Sequence, residues 1–137
     1  MDWKVFHIKN FPFAKPPKDK FLLVFQYENI IKGFPINSSV PTFIKSKKLL
    51  PCIAPICSDS NTYLDQDSFI DCTSLFDIEN YYLYNEVCDE ICDLSKHYVI
   101  KAILACRVLS SVEKMTILKA HQTKYFNLDL EKNNLKS

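Results

Sequence analysis

Lys18-Asp19-Lys20-Phe21-Leu22-Leu23-Val24-Phe25-Gln26-Tyr27-Glu28-Asn29-Ile30-Ile31-Lys32-Gly33-Phe34-Pro35-Ile36-Asn37-Ser38-Ser39 is the stretch that decides how this chain is read. Phe21 to Phe25 form an unbroken apolar run, too short for an isolated helix and suited to a buried strand. The turn-type residues Gln26 to Asn29 separate it from a second apolar run, so the stretch predicts a hairpin. In an antiparallel pair, the start of one strand lies beside the end of the next. Lys18 or Lys20 is therefore expected near Ser38 and Ser39 at one rim of a sheet.

Working outward toward the N-terminus, Val5-Phe6-His7-Ile8 reads as a short strand that ends by Pro12, and Ala14-Lys15-Pro16-Pro17 as a loop. Proline has no backbone N–H to give to a ladder. In the other direction, Lys45, Lys47 and Lys48 make the densest positive patch, either a solvated loop or a contact for a phosphate backbone. Pro51 to Cys57 predicts an edge strand interrupted by proline, and Ser58 to Asn61 a turn. Thr62-Tyr63-Leu64 is expected to pair back, and Ser68 to Cys72 to form another strand. Thr73 to Asp77 reads as a helical turn or tight loop, and Tyr81 to Tyr84 and Val87 to Ile91 as weaker strands. The period then changes. Val99, Ile100, Ile103, Leu104, Cys106, Val108 and Leu109 fall mostly at helical spacing behind Ser95 as the cap. Ser110 followed by Glu113 has the form of a capping box. It opens a helix through Val112, Met115, Ile117 and Leu118 that ends near His121. Short strands followed by helices predict an α+β fold: a small, bent antiparallel sheet or open barrel closed by a C-terminal helical layer. One domain is expected over residues 1–127, with a flexible tail over 128–137.

Composition bounds the function. The net charge of +1 gives no global steering toward nucleic acid, so a nucleic-acid surface must come from local lysine clusters. A single glycine leaves no Gly-rich phosphate loop of either the dinucleotide or the P-loop type. Cys52, Cys57, Cys72, Cys88, Cys92 and Cys106 read as small buried apolar residues in a reducing cytoplasm. Zinc is the sharper reading, but neither close pair has Cys-x-x-Cys spacing and no nearby histidine completes a set. No metal or other cofactor is expected. The opening Met1-Asp2-Trp3-Lys4 has no signal-peptide form, and no apolar run is long enough for a membrane span.

The pattern resembles the MazF/PemK-type toxins, the growth-inhibiting ribonucleases of toxin–antitoxin modules, over roughly residues 18 to 120. Lys18 to Phe25 resembles the family's second strand, where a basic residue leads into an apolar run. Phe34-Pro35-Ile36-Asn37-Ser38-Ser39 resembles the next strand, which ends in "Pro-Ile-Thr-Ser". Phe69 to Leu75 resembles the strand and turn before the helical part, and Ile91-Cys92-Asp93-Leu94-Ser95 the family's "Gly-x-Leu-Ser". The resemblance implies an SH3-like barrel with C-terminal helices. It also implies a homodimer with an antitoxin partner, and cleavage of single-stranded RNA without a metal. Where the family usually has an arginine, this chain has Lys18 or Lys20. Its one arginine, Arg107, falls in the predicted helix. Lysine brings charge without the planar fork that grips phosphate at two points.

RNA cleavage by its own 2′-hydroxyl needs a proton acceptor, a proton donor and positive charge at the crowded phosphorus. Lys20 and Ser38 are the first-choice site residues, with Lys18 and Ser39 beside them. Thr42, Lys45, Lys47, Lys48 and Tyr27 are candidates for RNA contact. His7, His97 and His121 are scattered, and none is placed at the rim as a base. Asp71, flanked by Ile70 and Cys72, needs a partner, and holding a turn through Thr73 or Ser74 is the preferred reading over a site carboxylate. Cys92, just ahead of the helix and of His97, is a thinner candidate for thiolate chemistry. The alternative function is a non-catalytic protein-binding module on the same fold, an accessory or antagonist in a phage–host defence system. Tyr81, Tyr82 and Tyr84 would then supply the anchors.

Overall fold

A computed structural model of the chain describes residues 3–12, 16, 18–78 and 88–120. The predicted hairpin stands at its centre as β2 (Lys18–Tyr27) and β3 (Ile30–Asn37). Their ladder runs from Phe21 opposite Ile36 to Tyr27 opposite Ile30. The strands therefore extend past the apolar runs and leave only Glu28 and Asn29 as the turn. Glu28 takes a left-handed φ of 56°, and its carbonyl accepts from Gln26 Nε2 at 3.0 Å. β1 (Lys4–Phe11) pairs with β2 on the other side, longer than the expected strand and with a register irregularity between Ile8 and Phe11. With β4 (Ile53–Ile56), β5 (Ser68–Asp71), β6 (Phe76–Asp77) and β7 (Cys88–Glu90), the sheet reads β4-β5-β3-β2-β1-β7, and β6 also lies along β3. Every pairing is antiparallel. The path is open, with β4 and β7 at its ends.

Side chains alternate across a strand, and β2 uses both faces. Leu23 and Phe25 join Phe34, Ile36 and Ile70 in the main core, and Leu22 and Val24 join Phe6, Ile8 and Phe11 in a smaller one. A strand covered on both faces reads as a continuous apolar run rather than an alternating one. The main core is closed by the short helix α1 (Thr42–Ser46), by α2 (Asp93–Ala105) and by α3 over residues 111–120. They contribute Ile44; Val99, Ala102 and Ile103; and Ile117 and Ala120. The α+β arrangement follows: one bent antiparallel sheet with its helical layer on one side.

Several local expectations change. Where Lys45, Lys47 and Lys48 were read as loop, α1 forms and ends in a paired-bond cap. Leu49 N donates to Ile44 O at 2.8 Å and Lys48 N to Lys45 O at 3.2 Å, with Lys48 at a φ of 57°. This geometry usually falls to glycine, and burial of Ile44 and Leu49 beneath it holds Lys48 there instead. Thr62 to Leu64 forms turns rather than a strand. The cap of α2 is Cys92, not Ser95, whose hydroxyl is buried one turn inside. Arg107 falls just past α2 rather than within it. The capping box of α3 is present: Ser110 N donates to Glu113 Oε1 at 2.9 Å, and Glu113 N to Ser110 Oγ at 3.1 Å. The strand expected at Tyr81 to Tyr84, His121 and the tail over 128–137 lie outside the described residues. Among the described residues, no helix is long and apolar enough to cross a membrane.

β5 and β6 are one strand interrupted. Ile36 pairs with Ile70, so unbroken pairing would bring Gly33 opposite position 73, yet Gly33 pairs with Phe76. The excess chain bulges out at Cys72 to Leu75. Asp71 holds that bulge: its Oδ1 accepts from Thr73 N at 2.9 Å and Thr73 Oγ1 at 2.5 Å, and its Oδ2 from Ser74 Oγ at 3.3 Å. This gives the buried carboxylate the partners its position demands.

Candidate functional site

The hairpin places the end of β3 against the start of β2. One step beyond the Phe21–Ile36 pair, the Lys20 ammonium donates to Asn37 Oδ1. Around them opens a pocket of about 400 Å³ whose walls include Lys18, Lys20, Asn37, Ser38 and Ser39. The two lysines and two serines that the sequence set at one rim thus share one cavity. Ser38 and Ser39 are exposed there.

Burial pushes the Lys20 ammonium below its ordinary range. The Lys18 charge beside it pushes the same way, and Asp71 partly offsets both. Two cations are thus held together with one of them half out of water, in a cavity whose lining also carries the carboxylates of Asp19 and Asp65.

The far wall comes from the connection between β4 and β5, which folds back over the rim. Its Leu64 is buried, and Asp65, Gln66 and Ser68 face the pocket. Asp67 ties the two ends of this loop, accepting from Ser58 N at 2.9 Å and Ser58 Oγ at 3.0 Å. The Ser58 N–H and hydroxyl hold its carboxyl below the usual range. Asn37, Asp65, Gln66 and Ser68 were not singled out for this site in the sequence. For the last three the signal was the polar cluster from Ser58 to Ser68, which reads equally as an ordinary turn, and for Asn37 it was its place directly before Ser38 at the end of the hairpin.

Other candidates stand elsewhere. Tyr27 lies at the opposite end of β2, half-buried against the main core. Thr42 opens α1 just past Pro41, which lines the pocket. Lys45 and Lys48 are exposed around α1, and Lys47 lines a separate cleft with Phe43 and Arg107. His7 stacks on Phe21 with ring centroids 4.5 Å apart, one strand beyond the pocket wall. His97 is exposed on α2, 6.1 Å from the Tyr98 ring.

The cysteines divide by depth. Burial pushes the Cys52 thiol up to about 11, with a hydrogen bond from this thiol to Cys106 adding to it, and burial likewise raises Cys72. These are core thiols. Cys92 is different: partial burial raises its thiol, but hydrogen bonds from Ser95, Asn61 and the Leu94 backbone outweigh this and bring it below its ordinary value. Behind it stands a closed polar network. Asn61 Nδ2 reaches Cys57 O at 2.9 Å and Ser95 Oγ at 3.1 Å, while Asn61 Oδ1 accepts from Cys92 N at 3.1 Å and Tyr63 Oη at 2.9 Å. Among the described residues, no three His, Cys, Asp or Glu side chains are grouped as metal ligands.

The rim pocket is therefore where cationic, hydroxyl and carboxylate groups meet in an open cavity. No protein-family model and no curated protein matches the chain.

Proposed function

We propose that this protein is a toxin-like endoribonuclease that cleaves single-stranded RNA in the rim pocket without a metal ion. The observation that carries the reading is the convergence of Lys18, Lys20, Ser38 and Ser39 on one cavity. A phosphodiester placed there relieves the repulsion between the lysines. Lys20 and Lys18 stabilise the charge that builds on the phosphoryl oxygens, the largest contribution in reactions of this kind. Ser38 and Ser39 donate hydrogen bonds to those oxygens. Of the two carboxylates that line the pocket, Asp19 already accepts from the Asn10 N–H, and Asp65 is available to take the 2′-hydroxyl proton. The P–O2′ bond forms as the P–O5′ bond breaks. The leaving 5′-oxygen takes a proton from Lys20, whose lowered proton affinity suits it to give one up. The products are a 2′,3′-cyclic phosphate and a 5′-hydroxyl.

The test is incubation with a mixed single-stranded RNA in EDTA, beside the Lys20→Ala and Ser38→Ala proteins. Cleavage to cyclic-phosphate ends should fall by about a hundredfold or more without Lys20 and less without Ser38. Cleavage unchanged in both variants would remove these residues from the site, and intact RNA with the parent protein would remove the activity.

A second reading rests on a different surface. Leu94, Tyr98 and Leu104 on α2, then Val108, Val112 and Met115, are all exposed, from 40% to 73%. Exposed apolar side chains of this kind suit a protein interface, with a second copy of this chain as the occupant to test first. Light scattering across a concentration series should show a dimer that Leu104→Glu returns to monomer. A monomer at every concentration would end that reading.

A further inference from the structure

Phe43, Lys47 and Arg107 line an open cleft of about 530 Å³ beside the cap of α1, with Leu49, Thr73 and Ser74 as its floor and walls. Arg107 comes from the turn after α2, far away in sequence. Its Nη2 donates to Lys47 O at 2.5 Å, one of the carbonyls that the end of α1 leaves without a helical partner. That bond fixes one arm of the guanidinium and leaves its remaining donors for a ligand. The Phe43 ring is 47% exposed. Among the described residues, no Asp or Glu lines this cleft. Two cations and an open aromatic ring, with no carboxylate to neutralise them, form the combination that holds a phosphate and stacks a base.

The cleft and the rim pocket are separate cavities with a third hollow bordering both. That hollow, of about 130 Å³, is lined by Lys20 and Asn37, which also line the rim pocket, by Ser74, which also lines the cleft, and by Asp71, Phe11, Pro35 and Phe76; the Asp71 carboxylate there is engaged by Thr73 and Ser74. The bulge at Cys72 to Leu75 forms the step between them. Its shape is set by the Asp71 hydrogen bonds rather than by a flexible loop.

We infer that the Phe43–Lys47–Arg107 cleft is a second subsite for single-stranded RNA, with one strand running from the rim pocket over the Asp71 bulge into it. This rests on the reading that the rim pocket takes RNA, and extends that reading by naming how far the substrate reaches. Lys47 and Arg107 hold a backbone phosphate there, and Phe43 stacks a base. A short oligomer occupies the rim pocket alone, and a longer one occupies both.

The test is fluorescence anisotropy with labelled, 2′-O-methylated oligoribonucleotides of about four and about twelve residues, a range that single-strand binding folds span. The parent should bind the longer strand at least about tenfold more tightly. Arg107→Ala and Phe43→Ala should each remove most of that advantage and leave the short strand unaffected. Arg107→Ala should also reduce the salt slope by about one. Phe43→Tyr should keep the advantage, which separates stacking from misfolding. Lys20→Ala should weaken both strands. If Lys20→Ala weakens binding while Arg107→Ala and Phe43→Ala bind the longer strand as the parent does, the second subsite falls and the rim pocket stands. A polyphosphate that binds as tightly as the long strand, with Phe43→Ala unaffected, would also overturn the RNA subsite, leaving a plain anion site. No binding of either strand by the parent would overturn the inference together with the reading beneath it.

Discussion

Two polar clusters of this molecule differ in where their hydrogen bonds end. At the base of α2, Asn61 is 1% exposed, and both polar atoms of its amide are engaged by Cys57, Cys92, Ser95 and Tyr63. At the rim, Lys18, Ser38 and Ser39 border an open cavity, and Lys20 holds its charge against the cost of burial. The first cluster closes on itself and joins the β4–β5 connection to the helical layer. The second borders an open cavity, with the Lys20 ammonium donating to Asn37 Oδ1. A satisfied buried network stabilises, whereas a partly desolvated cation without an ion-pair partner does not. The contrast is between a polar cluster that closes on itself and one that opens on a cavity.

Three substitutions test that contrast. The largest effect is expected for Asn61→Leu, which takes the amide away from Cys57 O, Ser95 Oγ and the Cys92 N–H. It should cost about 3 kcal/mol in urea unfolding. A loss under about half a kcal/mol would mean that the network is ornament, and the comparison would collapse.

Asp71→Asn comes next. It keeps the volume but gives up charge-assisted bonds to the bulge, so about 1 to 2 kcal/mol of stability should go. Because that bulge is the step between the rim pocket and the neighbouring cleft, binding of a long RNA should weaken more than binding of a short one.

The smallest stability effect belongs to Lys20→Met. The folded state lowers the proton affinity of Lys20 below its unfolded value of 10.5. The charged amine is therefore a burden on the fold at neutral pH. As pH rises through the folded value, the folded protein sheds this proton before the unfolded chain does, and the burden fades by 10.5. Lys20→Met should match or exceed the parent's thermal stability at neutral pH, with the difference shrinking as the solution becomes alkaline. If the variant is instead less stable at neutral pH by as much as Asn61→Leu, the rim is structural and the contrast fails.

The hairpin was legible because its signals are local. A continuous apolar run, a polar turn and a second run fix the strand pair, and antiparallel geometry alone brings Lys18 and Lys20 to Ser38 and Ser39. The capping box at Ser110 and Glu113 is equally local, and so is the Asp71 turn. The start of α2 was misplaced because cysteine is a poor prior for a cap. Cys92 takes that position only because Asn61 orders it from a distant loop. The helix at Thr42 to Ser46 was missed because a single turn has little periodicity of its own. Packing of Ile44 and Leu49 against the sheet decides it.

Sequence by itself determined the α+β class, the central hairpin and the lysine–serine rim, since each follows from spacing along neighbouring residues. Only the tertiary structure decided what faces that rim and what lies beside it. Asp65 and Gln66 arrive from a loop that folds back, and Arg107 arrives beside Lys47 from the far end of α2. The pattern of a chain carries its local pairings. Contacts between remote segments depend on how helices and loops settle on the sheet, which no short stretch encodes.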